Sequence, residues 1–460
     1  MFELSVKDIV RITSGKLLCG DENVLVKGIC ANSKEIKEGN LFVPIIGEKV
    51  DAHIYIESAL EIGAATLTSR HFDVVIADKP YIQVHDTIKA MQDIGAYIRT
   101  MYKKPVVAVT GSVGKTTTRE MIASALAGNL NVYQTKKNYN SQVGVPITLS
   151  ELDENADVAV LELGISNDGQ MQILSNMVKP DICVVTVIGV AHIEFLKTQE
   201  NIRREKLDIT SHMNKDGILL LNGDDELLAQ MKGKTGVKTM FYGTSDWCDF
   251  RAENIRMEEN MLVYDYVHGE KREKVALNVL GKHNVINSLT GMAISDCMKL
   301  DLGNAAKGFS SFAGLRQQII NINDKYTIID DTYNASPDSM KASIDVLAEM
   351  ETTGKKIAIL GDMFELGENS ERYHYEVGTY LAGKNVDELV VVGELSQQIV
   401  KGVKDAESSI KCNILKDNGE VTLFLMSVMA EGDVVLIKGS NGMNMGQIVS
   451  NIVGKKEEIL

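Results

Sequence analysis

Several things are missing from this chain, and each absence narrows what it can be. No run of 18 apolar residues occurs, so no membrane-spanning helix is expected. An excess of positive charge is missing too: 48 Lys and Arg stand against 63 Asp and Glu, a formal net charge of −15. That balance argues against a general nucleic-acid or anionic-membrane surface, so any nucleotide must meet positive charge locally. No CxxC pair links the six cysteines, Cys19, Cys30, Cys183, Cys248, Cys297 and Cys412. Scattered thiols favour reduced, mostly buried cysteines in a cytoplasmic protein over disulfides or a zinc site. Sequence repeats, low-complexity tracts and long charge runs are absent. The opening MFELSVKDIVRITSGK is charged and periodic and is not expected to be a signal peptide.

What remains is globular in composition, 44% hydrophobic and 24% charged over 460 residues, and the length suggests about three domains. Residues 106–121, VVAVTGSVGKTTTREM, organise the rest. The apolar run 106–109 reads as a buried strand, the glycine stretch as a loop, and the following residues as a helix. Strand, loop and helix start make a phosphate cradle. Gly111 and Gly114 allow close backbone approach, Lys115 would reach the β/γ-phosphates, and Thr116 would offer its hydroxyl to Mg²⁺. Val109 stands where the longer G-x-x-x-x-G-K-[ST] loop has its first glycine, so this is the shorter T-G-x-x-G-K-T-T form.

Along the chain, residues 1–103 read as a small α/β unit. Strands are expected at 41–46, 64–67, 74–77 and 81–84, with helices at 51–62 and 88–101. Lys103-Lys104-Pro105 is a linker. Residues 104–314 alternate strands (106–109, 157–161, 182–187) with helices, which implies a parallel sheet with ligands at its C-terminal strand ends. Short antiparallel strands are expected over 235–280, then a helix from near His283. Residues 315–460 repeat the α/β pattern. Strands are expected at 327–329, 357–360, 389–392 and 434–437, and helices at 337–350, 370–382 and 421–430.

Chemistry-bearing residues sit just past these strands. Glu162 can take Mg²⁺ or simply be solvated. His192 is a capping or core histidine, or a ligand. Lys206 lies on a charged helix and, on residue type alone, is a solvated lysine. Asp330 and Asp331 can hold ribose hydroxyls, orient an amine, or form a helix-entry turn. Lys438-Gly439-Ser440 can bind a carboxylate or be a tight turn.

Taken in order, these motifs resemble the Mur ligases of peptidoglycan synthesis, over nearly the whole chain. TGSVGKTTT is similar to the family's ATP loop. KNYNSQVGVPITL, with Asn138 and Asn140, resembles the segment after it. LELG and GVAHIE resemble the two metal-site strand ends. ENIRREK resembles the helix whose lysine is carbamylated, pointing to Lys206. GKHNVINSL resembles the adenine-side segment with Asn284 and Asn287, and AGLRQQ the interdomain arginine motif with Arg316. DDTYNASPDSMKA, carrying Asn334 and Ser336, and ILGDMFELG are the most ligase-specific pair. NSKEIKEGNLFVPIIGEKVDAH, with Ser33, resembles the uridine-nucleotide segment.

The resemblance implies a three-domain α/β architecture. Residues 1–103 would bind the UDP-sugar, 104–314 would be a central P-loop parallel-sheet ATP domain, and 315–460 a Rossmann-like domain for D-Ala-D-Ala. It implies an ATP-dependent ligase joining D-Ala-D-Ala to UDP-N-acetylmuramoyl-tripeptide through an acyl phosphate. ATP would be held by Gly111, Ser112, Gly114, Lys115, Thr116, Thr117, Asn284, Asn287, Arg316 and Asp331. Mg²⁺, two ions, would sit on Thr116, Glu162, His192 and Lys206, the lysine converted by CO₂ to a carbamate. Lys115, Lys206 and His192 would be catalytic, and Ser33, Asn138, Asn140, Asn334, Ser336 and Lys438 would touch substrate. A cytoplasmic monomer with no nucleic-acid partner is expected. Two neighbouring readings stand beside it. One is a same-fold ligase adding a single amino acid to a UDP-muramoyl-dipeptide or glutamate to a folate. The other is a P-loop ATPase that ligates nothing. YNASPDSM favours the dipeptide-adding branch. The chain departs from the family pattern at Asn32, Val113, Ser141, Gln170 and Asn441.

Overall fold

The computed structural model describes residues 1–70, 78–259, 261–312, 318–323 and 325–454. Three main sheets carry the chain. The first has five strands, in the order Lys16–Cys19, Tyr81–Gln83, Ala65–Thr68, Leu41–Phe42 and Ile29–Cys30. The strand expected at 74–77 lies outside the described residues.

The second sheet has nine strands. Its parallel part runs Lys238–Gly243, Ile218–Asn222, Ile182–Val185, Val106–Thr110, Val158–Glu162 and Val132–Gln134. Every residue of Val106–Thr110 and Val158–Glu162 is buried, as expected where helices cover both faces of a parallel sheet. On one face lie the helices Lys115–Ala127 and His283–Cys297, whose apolar residues join one buried cluster with Val107, Val109, Val160 and Val184. On the other lie Gly144–Ser150, Gln170–Val178 and Gln199–Leu207, gathered around Ala108, Leu161 and Val185.

The expectation of short antiparallel strands over 235–280 needs correcting. Lys238–Gly243 is parallel to both neighbours. The next three strands, Phe250–Glu258, Met261–His268 and Lys271–Leu277, are antiparallel to one another but long, and they extend the central sheet. Their polar outer faces break the apolar runs in sequence, while Leu262, Tyr264, Tyr266 and Val275 supply a continuous buried face.

The third sheet has six strands, ordered Gln318–Ile322, Tyr326–Asp330, Val434–Lys438, Lys356–Gly361, Glu388–Val392 and Lys411–Leu415, all parallel except the first. The strands at 318–322 and 411–415 and the helices Gln397–Asp405 and Gly446–Gly454 add to the elements expected from sequence. Among the described residues no helix is long and apolar enough to cross a membrane.

Candidate active site

The strand ends of the second and third sheets face one cleft of about 800 Å³. The phosphate cradle forms one wall. The helix Lys115–Ala127 begins behind Gly114, its N-cap at φ +83°, with no side chain capping it, the arrangement that receives anions. At Gly111 a Cβ would sit 1.8 Å from Thr186 Oγ1, so only glycine lets the loop lie against the next strand end. Thr186 Oγ1 donates to the Val113 carbonyl (2.6 Å) and the Ser112 N–H to the Val187 carbonyl (2.8 Å). The contact at Val113 is made by its backbone carbonyl and does not depend on the side chain there. Ser112, Gly114, Lys115, Thr116 and Thr117 line the cleft.

Two lysines converge behind this loop. Lys115 Nζ donates to the Gly111 carbonyl at 2.8 Å, and Lys206 Nζ donates to the same oxygen at 3.0 Å. Lys206 is 1% exposed, contrary to the solvated reading of its residue type. Burial, with the Lys115 charge beside it, drives the Lys206 amine well below its ordinary pKa. The helix Gln199–Leu207 is held by Thr198, which caps it, and by Glu205, which accepts the N–H groups of Gly169 and Met171 at 2.9 Å each.

Glu162 closes the strand beside the cradle. Its Oε1 accepts from Asn140 Nδ2 at 2.7 Å, while Oε2 is buried without a hydrogen-bond partner. A buried carboxylate oxygen left in that state is costly unless a cation completes it. Ser112 Oγ is likewise buried and unpartnered. His192, at φ +61°, leads the short helix Ile193–Leu196, and its Nδ1 meets the Glu365 carboxylate. Desolvation holds the His192 ring below the usual imidazole range against the opposing pull of Glu365. Among the described residues no three His, Cys, Asp or Glu side chains form a closed metal cage. Thr116 and Glu162 instead offer oxygen donors of the kind Mg²⁺ takes, and His192 offers an imidazole, a softer donor, all three on the open cleft wall.

The opposite wall comes from the third sheet. Lys438, 2% exposed, donates to Asp331 Oδ2 at 2.6 Å and to the Asn334 carbonyl at 2.9 Å, and Ser343 Oγ donates to the same Asp331 oxygen. Lys438 is thus committed to Asp331 before any carboxylate arrives, because a buried ammonium needs a partner. Asn334, Ser336 and Asp331 line the cleft. Asn284 and Asn287 line it from the helix His283–Cys297, and Thr118 Oγ1 donates to Asn287 Oδ1 at 3.1 Å, joining that helix to the cradle helix.

Not every expected residue is here. Ser33 and Asn138 are not among the cleft-lining residues, and Arg316 lies outside the described residues. Of the departures, Ser141 Oγ accepts the Gly144 N–H at 3.2 Å and Gln170 Oε1 accepts the Ser166 N–H at 2.8 Å, both backbone-capping tasks that the side-chain oxygen alone performs. Asn32 Oδ1 accepts the Lys34 N–H at 3.1 Å in the same manner, and Asn441 Nδ2 donates to the Tyr333 carbonyl at 3.2 Å. Sequence reading missed Tyr333, Phe364 and Glu365 on the cleft wall. The quoted ILGDMFELG motif contains the last two, but nothing in it says what they face.

Comparison with known proteins agrees with this geometry. Residues 109–295 match the Mur ligase middle domain, and residues 315–441 the family described as Mur ligase, glutamate ligase domain. The chain is 32% identical to UDP-N-acetylmuramoyl-tripeptide–D-alanyl-D-alanine ligase of Bacillus subtilis, over 98% of this chain and 99% of that one. Among solved structures, MurF from Acinetobacter baumannii superposes with a TM-score of 0.89 at 26% identity, covering 99% of both chains. The Thermotoga maritima MurF complex with ADP gives 0.81 at 25% identity, covering 95% of this chain and 99% of that one. A P-loop sheet and a second parallel sheet sharing one cleft, and an end-to-end relative at this identity, place the chain in the Mur ligase family.

Proposed function

We propose that this chain is the ATP-dependent ligase that adds D-Ala-D-Ala to UDP-N-acetylmuramoyl-tripeptide, giving the pentapeptide precursor of peptidoglycan with ADP and phosphate. The observation that carries it is the shared cleft: the phosphate cradle on one wall and the Asp331–Lys438 strand ends on the other, in a chain matched end to end by the Bacillus subtilis ligase of that name. The reaction class follows from the groups. The γ-phosphoryl of ATP moves to the tripeptide carboxylate, the resulting acyl phosphate is attacked by the dipeptide amine, and phosphate leaves.

The cradle residues Gly111, Ser112, Gly114, Lys115, Thr116 and Thr117 hold the phosphates, and Lys115 turns from the Gly111 carbonyl to the transferring group. Asn284 and Asn287 face the base, and Asp331, oriented by Lys438 and Ser343, takes the ribose side. Asn140 orients Glu162, and Asn334 and Ser336 border the incoming dipeptide. Thr116, Glu162 and His192 would hold Mg²⁺, which supplies neutralisation of charge on the phosphoryl oxygens. Burial drives the Lys206 amine well below its ordinary pKa, which favours the unprotonated form that would take up CO₂, giving a carbamate and releasing one proton. Its oxygens would add a further ligand. The setting is the cytoplasm, where ATP is available.

A substrate panel tests the reading. Purified protein with ATP, Mg²⁺ and UDP-muramoyl tripeptide should form product with D-Ala-D-Ala and not with single amino acids. Product only with a free amino acid would assign it to the single-residue-adding branch.

A further inference from the structure

The ILGDMFELG motif has no task in the scheme above, yet one of its residues reaches across the molecule. We propose that Glu365 is a positioning residue for the ligase reaction: it fixes the tautomer of His192 and so completes the metal site only when the C-terminal sheet is seated on the central one. This rests on the reading of His192 as a metal ligand.

Glu365 sits on a loop built to hold it. After the strand Lys356–Gly361, His374 Nε2 accepts the Met363 N–H at 2.9 Å and Ser440 Oγ accepts the Phe364 N–H at 2.9 Å. The Ser440 N–H closes back onto the Asp362 carbonyl at 3.0 Å. Glu365 then takes φ +62°, a conformation disfavoured for any residue with a Cβ. Facing it, His192 also takes a left-handed turn, at φ +61°. The Glu365 carboxylate accepts the His192 Nδ1–H, and the Glu365 carbonyl accepts the Glu194 N–H at 3.3 Å. Two contacts thus tie one unusual turn to the other.

The chemical consequence is specific. With Nδ1 serving as donor to a carboxylate, the lone pair of neutral imidazole resides on Nε2. That is the carboxylate–histidine arrangement that orients ligating imidazoles and raises their basicity. Here the carboxylate and the histidine belong to different sheets, 173 residues apart. The seam around them is closely fitted. Val190 is buried in the apolar cluster of the C-terminal sheet, and a Cβ on Gly189 would lie 2.2 Å from Asp338 Oδ2. Unseating the sheet removes Glu365 from His192 and frees the ring to change tautomer. The Glu365 side chain is 46% exposed, so its pairing adds little to stability and its replacement leaves the fold in place.

Mn²⁺ is the probe, its affinity measured by electron paramagnetic resonance on the full chain with ADP present. Glu365→Ala should weaken Mn²⁺ about 10- to 100-fold and lower kcat, with KM for UDP-muramoyl tripeptide unchanged. Glu365→Gln, whose amide oxygen accepts the same hydrogen bond, should restore most of both. In a His192→Ala background, Glu365→Ala should cost nothing further. Unchanged Mn²⁺ affinity in Glu365→Ala, with affinity lost in His192→Ala, overturns the proposal and leaves the metal reading standing. So does a loss of the same size in both backgrounds. Unchanged affinity in His192→Ala overturns the metal reading itself, and the proposal with it.

Discussion

At the scale of single residues, one carbonyl oxygen concentrates the chemistry. Lys115 and Lys206 both donate to Gly111, and a second cation beside a buried amine disfavours that amine's charged form. Lys206 is the one without solvent, so its pKa is the one driven down. Lys206→Ala should lose most turnover. Added bicarbonate should raise the rate of CO₂-depleted wild type and leave the variant unchanged, as phosphate-release assays would record. Lys115→Ala removes the cation that meets charge building on the transferring phosphoryl group. Its kcat should fall by a factor equivalent to about 3 kcal/mol or more, measured in single-turnover assays. His374 is a third residue with a defined signature. Its Nε2 accepts the Met363 N–H while Nδ1 donates to the Ser370 carbonyl, so only the neutral ring satisfies both. Burial lowers its pKa below the ordinary 6.5. Between the two values the unfolded chain binds more protons, so stability rises with pH: it is full above about pH 7 and declines as the pH falls toward the folded pKa. The melting temperature of His374→Gln should be lower at neutral pH and fall less than wild type on acidification.

At the scale of elements, strand ends do the positioning. Leu161 and Leu163 are buried on either side of Glu162 and hold its backbone, so that the side chain has one place to go. Leu161→Ala should cost about 2–5 kcal/mol, read from urea unfolding. The elements that aim the cradle were legible in the sequence because burial on both faces writes an unbroken apolar run, and the glycines mark the loop. Lys115–Ala127, Ser370–Ala382 and Pro337–Glu349 were equally plain, the last through Pro337 at its first turn. The edge strand Lys411–Leu415 was not, since it is only partly buried and leaves Ile414 exposed. Lys206 read as solvated because six of the thirteen residues in TQENIRREKLDIT are charged, and a charged helix discloses nothing of what lies over it. The Lys438–Asp331 pair and the His192–Glu365 contact join segments that are neighbours only in space, and no local spacing encodes such a meeting.

At the scale of the whole molecule, the cleft belongs to two sheets and exists only where they meet. Val190 is the plug: it leaves the central sheet and is buried among Ile329, Met340 and Leu360 of the other. Val190→Asp would put a charge into that apolar cluster and should open the seam. The radius of gyration from X-ray scattering should grow and turnover should fall, and ADP should bind more weakly, keeping the cradle and its partner helix but losing Asp331. A closed cleft also keeps water from an acyl phosphate, so phosphate release should wait for both substrates. Phosphate release with ATP, Mg²⁺, UDP-muramoyl tripeptide and D-Ala-D-Ala, each omitted in turn, tests this most directly. Release that requires all four is expected. Release from ATP and Mg²⁺ alone, unchanged by the tripeptide and the dipeptide, would contradict it and leave a P-loop ATPase in place of a ligase.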